Sequence, residues 1–156
     1  MSKSLARVRA ALEAAGEAGD IVEMPSSTRT AAEAAAAAGC ALDQIAKSII
    51  FRGEQSGHVM LFLTAGGNRV DPAKAAAVAC EPLGPADAAL VRAETGFAIG
   101  GVAPLGHLNP LRAFWDPRLS DFDVIWAAAG TPRHVFPISP QRLLQITGAV
   151  PAAFTG

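Results

Sequence analysis

Two short stretches of this sequence have the residue types to hold a small ligand. One is the glycine-proline segment 100–107, which reads GGVAPLGH. Glycines let the backbone turn sharply and let a ligand approach main-chain N–H and C=O groups closely. The other is Lys47, a single cation beside an apolar run, where a charge is costly unless it has a partner. A rigid backbone cradle with one placed cation could hold an anionic or carbonyl-bearing substrate.

Apolar patterning predicts the elements that position these two stretches. A short helical turn over 41–46 leads into a strand over 48–52, directly after Lys47. The polar turn that follows, and a second strand over 58–64, predict a β-hairpin. A strand over 97–101 is expected to lead into the glycine-proline segment. Both stretches therefore lie at strand ends.

The rest of the chain predicts helices and strands without a regular βαβ rhythm. We expect a first helix capped by Ser4 and ended by Gly16 and Gly19, with further helices over 30–39, 71–79, 85–94 and 141–147. Further strands are expected over 21–24, 112–115, 124–128 and 134–138. Early hairpins favour a mixed or antiparallel sheet. The fold class is mixed α/β, in a single domain over residues 1–156.

Composition excludes several classes of protein. The 156 residues are 51% hydrophobic and 17% charged, so the chain can bury a sizeable core and is not disordered. A net charge of −1 argues against a protein that binds long duplex DNA, which has a strong basic footprint. This net charge does not exclude a protein that binds only the end of an RNA.

Cysteine usage and apolar run lengths indicate the compartment. Cys40 and Cys80 form no CxxC pair and no metal-ligand spacing with histidine, which favours a cytoplasmic protein without a disulfide framework. The apolar tracts are interrupted well before the ~20 residues that span a membrane. The first residues are amphipathic and lack the apolar core of a secretory leader. We expect a cytoplasmic protein with no membrane partner.

The signatures of three classes of hydrolase or nucleotide-binding site are absent from the sequence. His58, His107 and His134 form neither an HxH nor an HExxH arrangement, so no metal site is predicted. There is no GxSxG elbow for a serine nucleophile, and neither GxGxxG nor a P-loop occurs. Two plainer interpretations stay open: Lys47 could be a surface lysine, and the glycine-proline segment could be a tight turn.

The order and spacing of several segments resemble a known family. The chain is similar to the YbaK/ProX family, freestanding relatives of the editing domain inserted in bacterial prolyl-tRNA synthetases. The segments that carry the resemblance are IAKSIIF at 45–51, HVMLFLT at 58–64, GGNRVD at 66–71, the GxxxP motif from Gly100 to Pro104, AAG at 128–130 and LLQITGA at 143–149.

The resemblance implies a fold, an activity and a set of site residues. The fold is a curved, partly barrel-like mixed sheet flanked by helices, and the activity is hydrolysis of the ester bond in mischarged aminoacyl-tRNA. It implies no cofactor, no metal and no enzyme nucleophile, because an oriented water attacks an ester that is already activated. It assigns catalysis to Lys47, Gly100 and Gly101, and substrate binding to Thr28, Ile49, Val102, Ala103, Pro104, Gly106, His107, Gly130 and His134.

The substrate is only partly indicated. The cysteine-specific branch of the family has a Gly-Gly-x-x-Gly-Leu-Asp type segment where this chain reads AGTPRHV at 129–135, so another small amino acid on tRNA-Pro or a related tRNA is expected. The expected partner is the aminoacyl-tRNA acceptor end, with or without a synthetase. The alternative is a non-catalytic tRNA- or nucleotide-binding module of the same fold.

Overall fold

A computed structural model describes residues 2–17 and 20–156, in which five helices flank one mixed sheet of eight strands. The helices are α1 (Lys3–Ala14), α2 (Ala31–Ala38), α3 (Pro72–Ala79), α4 (Ala88–Thr95) and α5 (Pro140–Thr147). The strands are β1 (Val22–Glu23), β2 (Ile45–Gly53), β3 (Val59–Ala65), β4 (Leu83–Pro85), β5 (Arg112–Trp115), β6 (Ile125–Ala128), β7 (His134–Ile138) and β8 (Val150–Pro151).

The sheet runs in the order β1-β7-β6-β2-β3-β5-β8, and β4 pairs with β2 beside this path. The β2–β3, β2–β4, β6–β7 and β1–β7 pairs are antiparallel. The β2–β6, β3–β5 and β5–β8 pairs are parallel. The predicted mixed α/β class and the predicted β2–β3 hairpin are thus confirmed.

Strand β2 has different partners along its two edges. Its pairing with β3 runs from Ala46 to Arg52. On the other edge, β6 pairs only with Ile45 and Ala46, and β4 pairs only with residues 51–53. Between them, residues 47–50 have no strand partner on that edge among the residues described.

The two faces of the β2–β3 hairpin pack against different apolar clusters. Ala46 and Ile50 pack with the larger cluster, which includes residues of α1, α4 and α5. Ile49 and Phe51 pack with a smaller cluster around Phe62, against α3. Alternation of side chains along a strand explains the division.

Local capping signals account for most of the helix limits. Thr30 and Glu33 form a capping box at the start of α2, which ends at Gly39 with φ of 70°. Pro follows the capping residue in α3 and α5. The first helix is capped by Ser2 rather than Ser4, because the Ser2 hydroxyl accepts the N–H of Leu5; its predicted limit at Gly19 lies outside the described residues.

Two predicted elements differ from the structure, and two short strands of the structure have no counterpart in the prediction. Helix α4 begins after Asp87 and not at Pro85, because Pro85 belongs to β4 and pairs with Phe51. The stretch 97–101 is a turn and not a strand, with the N–H of Gly101 donated to the carbonyl of Ala98. The short strands β4 and β8 were not predicted.

One buried carboxylate ties the end of β3 to the end of β5. Asp116 is 2% exposed and accepts hydrogen bonds from the Ala65 N–H at 3.0 Å, the Asn68 side-chain amide at 2.9 Å and the Arg118 N–H at 3.0 Å. It therefore fixes the turn 66–68.

No helix in the described part of the chain is long and apolar enough to cross a membrane.

We expect Asp116→Ala to lower the free energy of unfolding by about 3 kcal/mol, because it leaves the buried N–H of Ala65 without an acceptor. The matched control is Asp121→Ala, which removes only an exposed ion pair with Arg118 and should change stability by about 0.5 kcal/mol or less. Urea unfolding midpoints of the two variants measure the difference. Equal midpoints would show that Asp116 does not hold the turn.

Candidate active site

A cavity of about 320 Å³ opens where β4 and β6 diverge from the edge of β2. Ala86 follows β4 directly, and Ala128 is the last residue of β6. The glycine-proline segment and the residues before α2 form the remaining walls. The lining residues are Thr28, Arg29, Ser48, Ile49, Ile50, Ala86, Val91, Ile99, Gly100, Val102 and Ala128.

The unpaired edge of β2 presents backbone polar groups to this cavity. The N–H of Gly53 donates to the carbonyl of His58, so in this antiparallel register the odd-numbered residues of β2 hydrogen-bond with β3. The even-numbered residues point the other way, as the bond from the Glu54 N–H to the Pro82 carbonyl shows beside β4. The N–H and C=O of Ser48 therefore face the open edge, where a ligand can pair with them.

The glycine-proline segment 100–107, called the glycine loop below, has a backbone that favours glycine at two positions. Gly100 has φ of +93°, a left-handed conformation that side chains disfavour. A Cβ on Gly101 would lie 3.0–3.2 Å from the backbone of Thr131, so the loop packs directly on the segment after β6. Thr28 holds the same segment, because its N–H and hydroxyl donate to the carbonyl of Pro132 at 2.7 and 2.9 Å.

The loop separates the cavity from a second depression. Gly100 and Val102 face the cavity, whereas Pro104, Gly106 and His107 line a depression of about 450 Å³ on the other side. Ala103 lies between them and is 0% exposed. The structure therefore divides the predicted loop residues between two surfaces.

His107 supports the glycine loop on the side away from the cavity. Its Nε2 donates to the carbonyl of Ala103 at 2.7 Å, since a carbonyl can only accept. Its ring meets the Phe97 ring edge-on at 5.8 Å. Burial lowers the pKa of His107, with Arg7 adding to the effect and the Ala103 bond opposing it. The imidazole is thus a neutral donor that fixes the loop backbone.

This lowered pKa predicts a loss of stability in acid. The unfolded chain binds a proton at His107 near its ordinary pKa, before the folded chain does, so stability is present above about pH 6.5 and falls as pH decreases below it. His107→Gln should show a smaller drop in unfolding free energy between about pH 7.5 and about pH 5.5 than the wild type.

The comparison removes the opposite contribution of His58, whose hydrogen bond to Glu94 raises its pKa and is present in both proteins. Urea unfolding at the two pH values measures each drop. Equal drops in the two proteins would contradict a neutral, buried His107.

Lys47 lies on the strand face turned toward Phe62 and is absent from the cavity lining. Its Nζ donates to the carbonyl of Asn68 at 2.6 Å. Burial lowers the pKa of Lys47, and Arg69 lowers it further, while Asp116 and Asp43 oppose the shift. The ammonium therefore holds the turn 66–68 that Asp116 holds from the other side.

Two further predicted residues lie beside the cavity but outside its lining. Gly130 has φ of +95°, and a Cβ there would lie 2.9 Å from the carbonyl oxygen of Ser4 and 3.0 Å from the Phe97 ring, so Gly130 packs against α1. The Nδ1 of His134 lies 2.6 Å from the Thr131 hydroxyl, and its Nε2 lies 3.6 Å from Glu23. Of the predicted site residues, the cavity brings together Thr28, Ile49, Gly100 and Val102.

Sequence reasoning missed two polar residues of the lining, Arg29 and Ser48. Arg29 is exposed, and its side chain passes 3.5 Å from the place of a Cβ on Gly100. No pattern in the sequence links Arg29 to the glycine loop. Strand alternation could have found Ser48, because the residue after Lys47 must point to the opposite face.

The three histidines each have a partner other than a metal. His58 pairs with Glu94 at 2.8 Å, and His107 and His134 bond to Ala103 and Thr131. Within residues 2–17 and 20–156, no group of three or more histidine, cysteine or acidic side chains is placed to hold a metal ion.

Comparison with known proteins identifies the family. The family model described as the aminoacyl-tRNA editing domain matches residues 25–146. The chain belongs to this family. The matched range includes all the lining residues of the cavity. The YbaK/ProX resemblance carried by the sequence motifs is thereby confirmed.

Several proteins of known sequence or structure are similar to the chain over most of its length. A protein provisionally described as a trans-editing enzyme for prolyl-tRNA synthetase is 47% identical, with a TM-score of 0.92 over 100% of this chain and 99% of that one. A protein described only as hypothetical is 28% identical, with a TM-score of 0.87 over 96% and 99%. YwhH of Bacillus subtilis, which is uncharacterized, is 30% identical over 82% of this chain and 81% of its own length.

Proposed function

We propose that this protein is a trans-editing deacylase, which hydrolyses the ester bond of a mischarged tRNA carrying a small amino acid. The observation that supports this best is the cavity between the glycine loop and the open edge of β2. It offers unpaired backbone groups of Ser48 to a carbonyl-bearing ligand. Membership of the aminoacyl-tRNA editing family makes the ligand an aminoacyl ester.

The lining suits a small, uncharged aminoacyl group. The side chains of Ile50, Val91 and Val102 are apolar, and the charged side chain in the lining is Arg29. An aminoacyl group with a charged side chain would meet no matching pair of charges in the lining. The aminoacyl group, its ester and the ribose edge must share about 320 Å³, which leaves little room for an aromatic side chain.

Water is the nucleophile in the reaction we propose. A water attacks the ester carbonyl carbon, the bond to the ribose oxygen breaks, and the proton that the water loses goes to that oxygen. Backbone N–H groups at the β2 edge and at Gly100 stabilise the developing oxyanion, and Lys47 contributes to placing the terminal nucleotide. Positioning and electrostatics supply much of the rate because aminoacyl esters are already activated. No metal and no cysteine takes part.

The mouth of the cavity suits the acceptor end of a tRNA. Arg29 is exposed there, and Ile99 is 58% exposed beside it, so a cation and an apolar surface meet the terminal nucleotide. A net charge of −1 leaves few contacts for the rest of the RNA. The tRNA is tRNA-Pro or a related one, and the protein works in the cytoplasm, alone or with a synthetase.

A deacylation panel tests this function. One tRNA charged in turn with alanine, serine, threonine, phenylalanine and lysine should lose only the small residues, with differences of about 10- to 200-fold where substrates differ by one methylene. EDTA should leave the rates unchanged, as should the double variant Cys40→Ser, Cys80→Ser. Loss of rate in EDTA with recovery on adding zinc would refute the metal-free mechanism. Binding of the acceptor end without any hydrolysis would establish the non-catalytic binding module instead.

Lys47→Ala should reduce the deacylation rate by ~100-fold, the loss expected for a charge-assisted contact of a few kcal/mol. Lys74→Ala is the matched control, because Lys74 also donates to a backbone carbonyl, that of Thr155 at 3.0 Å, and neither residue lines the cavity. Urea unfolding of both variants separates a loss of contact from a loss of folding. A Lys47→Ala protein with near-wild-type turnover would remove Lys47 from the site.

A further inference from the structure

The cavity contains one buried hydroxyl that has no partner within the protein. The Oγ of Ser48 is inaccessible to solvent and makes no hydrogen bond. Among the residues described, it is the only buried side-chain nitrogen or oxygen without a hydrogen-bond partner. Buried polar groups are paired in most proteins, and an unpaired one costs stability. Because Ser48 also lines the cavity, rotation of its side chain about the Cα–Cβ bond can bring this hydroxyl to a ligand there, which then supplies the missing partner.

The neighbouring polar groups of the lining do not replace Ser48 in this role. The Thr28 hydroxyl already donates to the carbonyl of Pro132 at 2.9 Å. Arg29 is a cation that can only donate, and it lies at the exposed mouth. The Ser48 hydroxyl can both donate and accept.

The backbone and the hydroxyl of Ser48 address different parts of a ligand. Backbone groups of a strand point within the plane of the sheet, whereas side chains stand perpendicular to it. The N–H and C=O of Ser48 therefore meet a ligand at the sheet edge. The hydroxyl points out of the sheet on the face of Ala46 and Ile50, toward the cluster that includes Val91 and Val102, which also line the cavity.

We propose that Ser48 determines substrate specificity, with its hydroxyl bound to the side-chain hydroxyl of a seryl or threonyl ester. This rests on the proposed deacylase function and adds the chemistry of the aminoacyl side chain. The apolar wall formed by Val91 and Val102 cannot distinguish alanine from serine strongly, because an apolar pocket barely rejects an isostere with an added hydroxyl. A site that bonds the hydroxyl does reject the analogue that lacks it.

The test compares seryl and alanyl esters on the same tRNA with four proteins. The wild type should hydrolyse the seryl ester about 10- to 100-fold faster, the effect of one buried hydrogen bond against an unpaired group. Ser48→Ala should lose about that factor on the seryl ester and change on the alanyl ester by about twofold or less. Ser48→Thr keeps the hydroxyl and should keep the preference.

Ser56→Ala is the matched control, a serine in the exposed β2–β3 turn, and it should behave as the wild type does. Urea unfolding should show Ser48→Ala to be at least as stable as the wild type, because the change removes an unpaired buried hydroxyl. A second readout is the binding of seryl and alanyl amides of 3′-amino-3′-deoxyadenosine, measured by calorimetry. It should show the same preference without any hydrolysis.

Two results would overturn the assignment of Ser48. One is a wild type that hydrolyses both esters at equal rates, and the other is a Ser48→Ala protein that loses both rates equally. Either leaves the deacylase function intact. Failure of the wild type to hydrolyse any small aminoacyl ester is a different result and refutes the proposed function itself.

Discussion

The pairing of β2 is the constraint on which the site depends. Its pairing with β3 runs from Ala46 to Arg52 and holds the strand in the middle of the sheet. Its other edge is shared between β6, which arrives parallel, and β4, which arrives antiparallel. Each of these two strands pairs with only one end of that edge, so a gap remains at residues 47–50. The cavity is this gap, covered by the glycine loop.

A second set of contacts keeps β2 in place from behind. Asp116 holds the turn 66–68 through Ala65 and Asn68, and Lys47 donates to the carbonyl of Asn68 in the same turn. Lys47 and Ser48 are neighbours on one strand and therefore point to opposite faces. A change at Lys47 therefore acts outside the cavity lining, whereas a change at Ser48 acts inside the cavity directly.

Sequence alone predicted the parts of this fold that are determined locally. The β2–β3 hairpin and the limits of α2, α3 and α5 follow from turn and capping residues such as Thr30, Asp71 and Ser139. The prediction of a strand over 97–101 was wrong, because no neighbouring strand pairs with this stretch. It forms a turn at Gly100 instead. The placing of Arg29 beside Gly100 depends on long-range packing, which a local pattern does not contain. Gly100 and Val102 lie in the segment that its glycines singled out, whereas Thr28 and Ile49 came from the family resemblance alone.

An unpaired strand edge usually invites association with another chain, because its N–H and C=O groups form a template for a further strand. In this protein the open stretch of β2 is limited to residues 47–50 and is closed at both ends by β6 and β4. An incoming strand could form only a few bonds before it met one of them. The sheet can therefore keep backbone groups free for a small molecule without becoming a seed for aggregation.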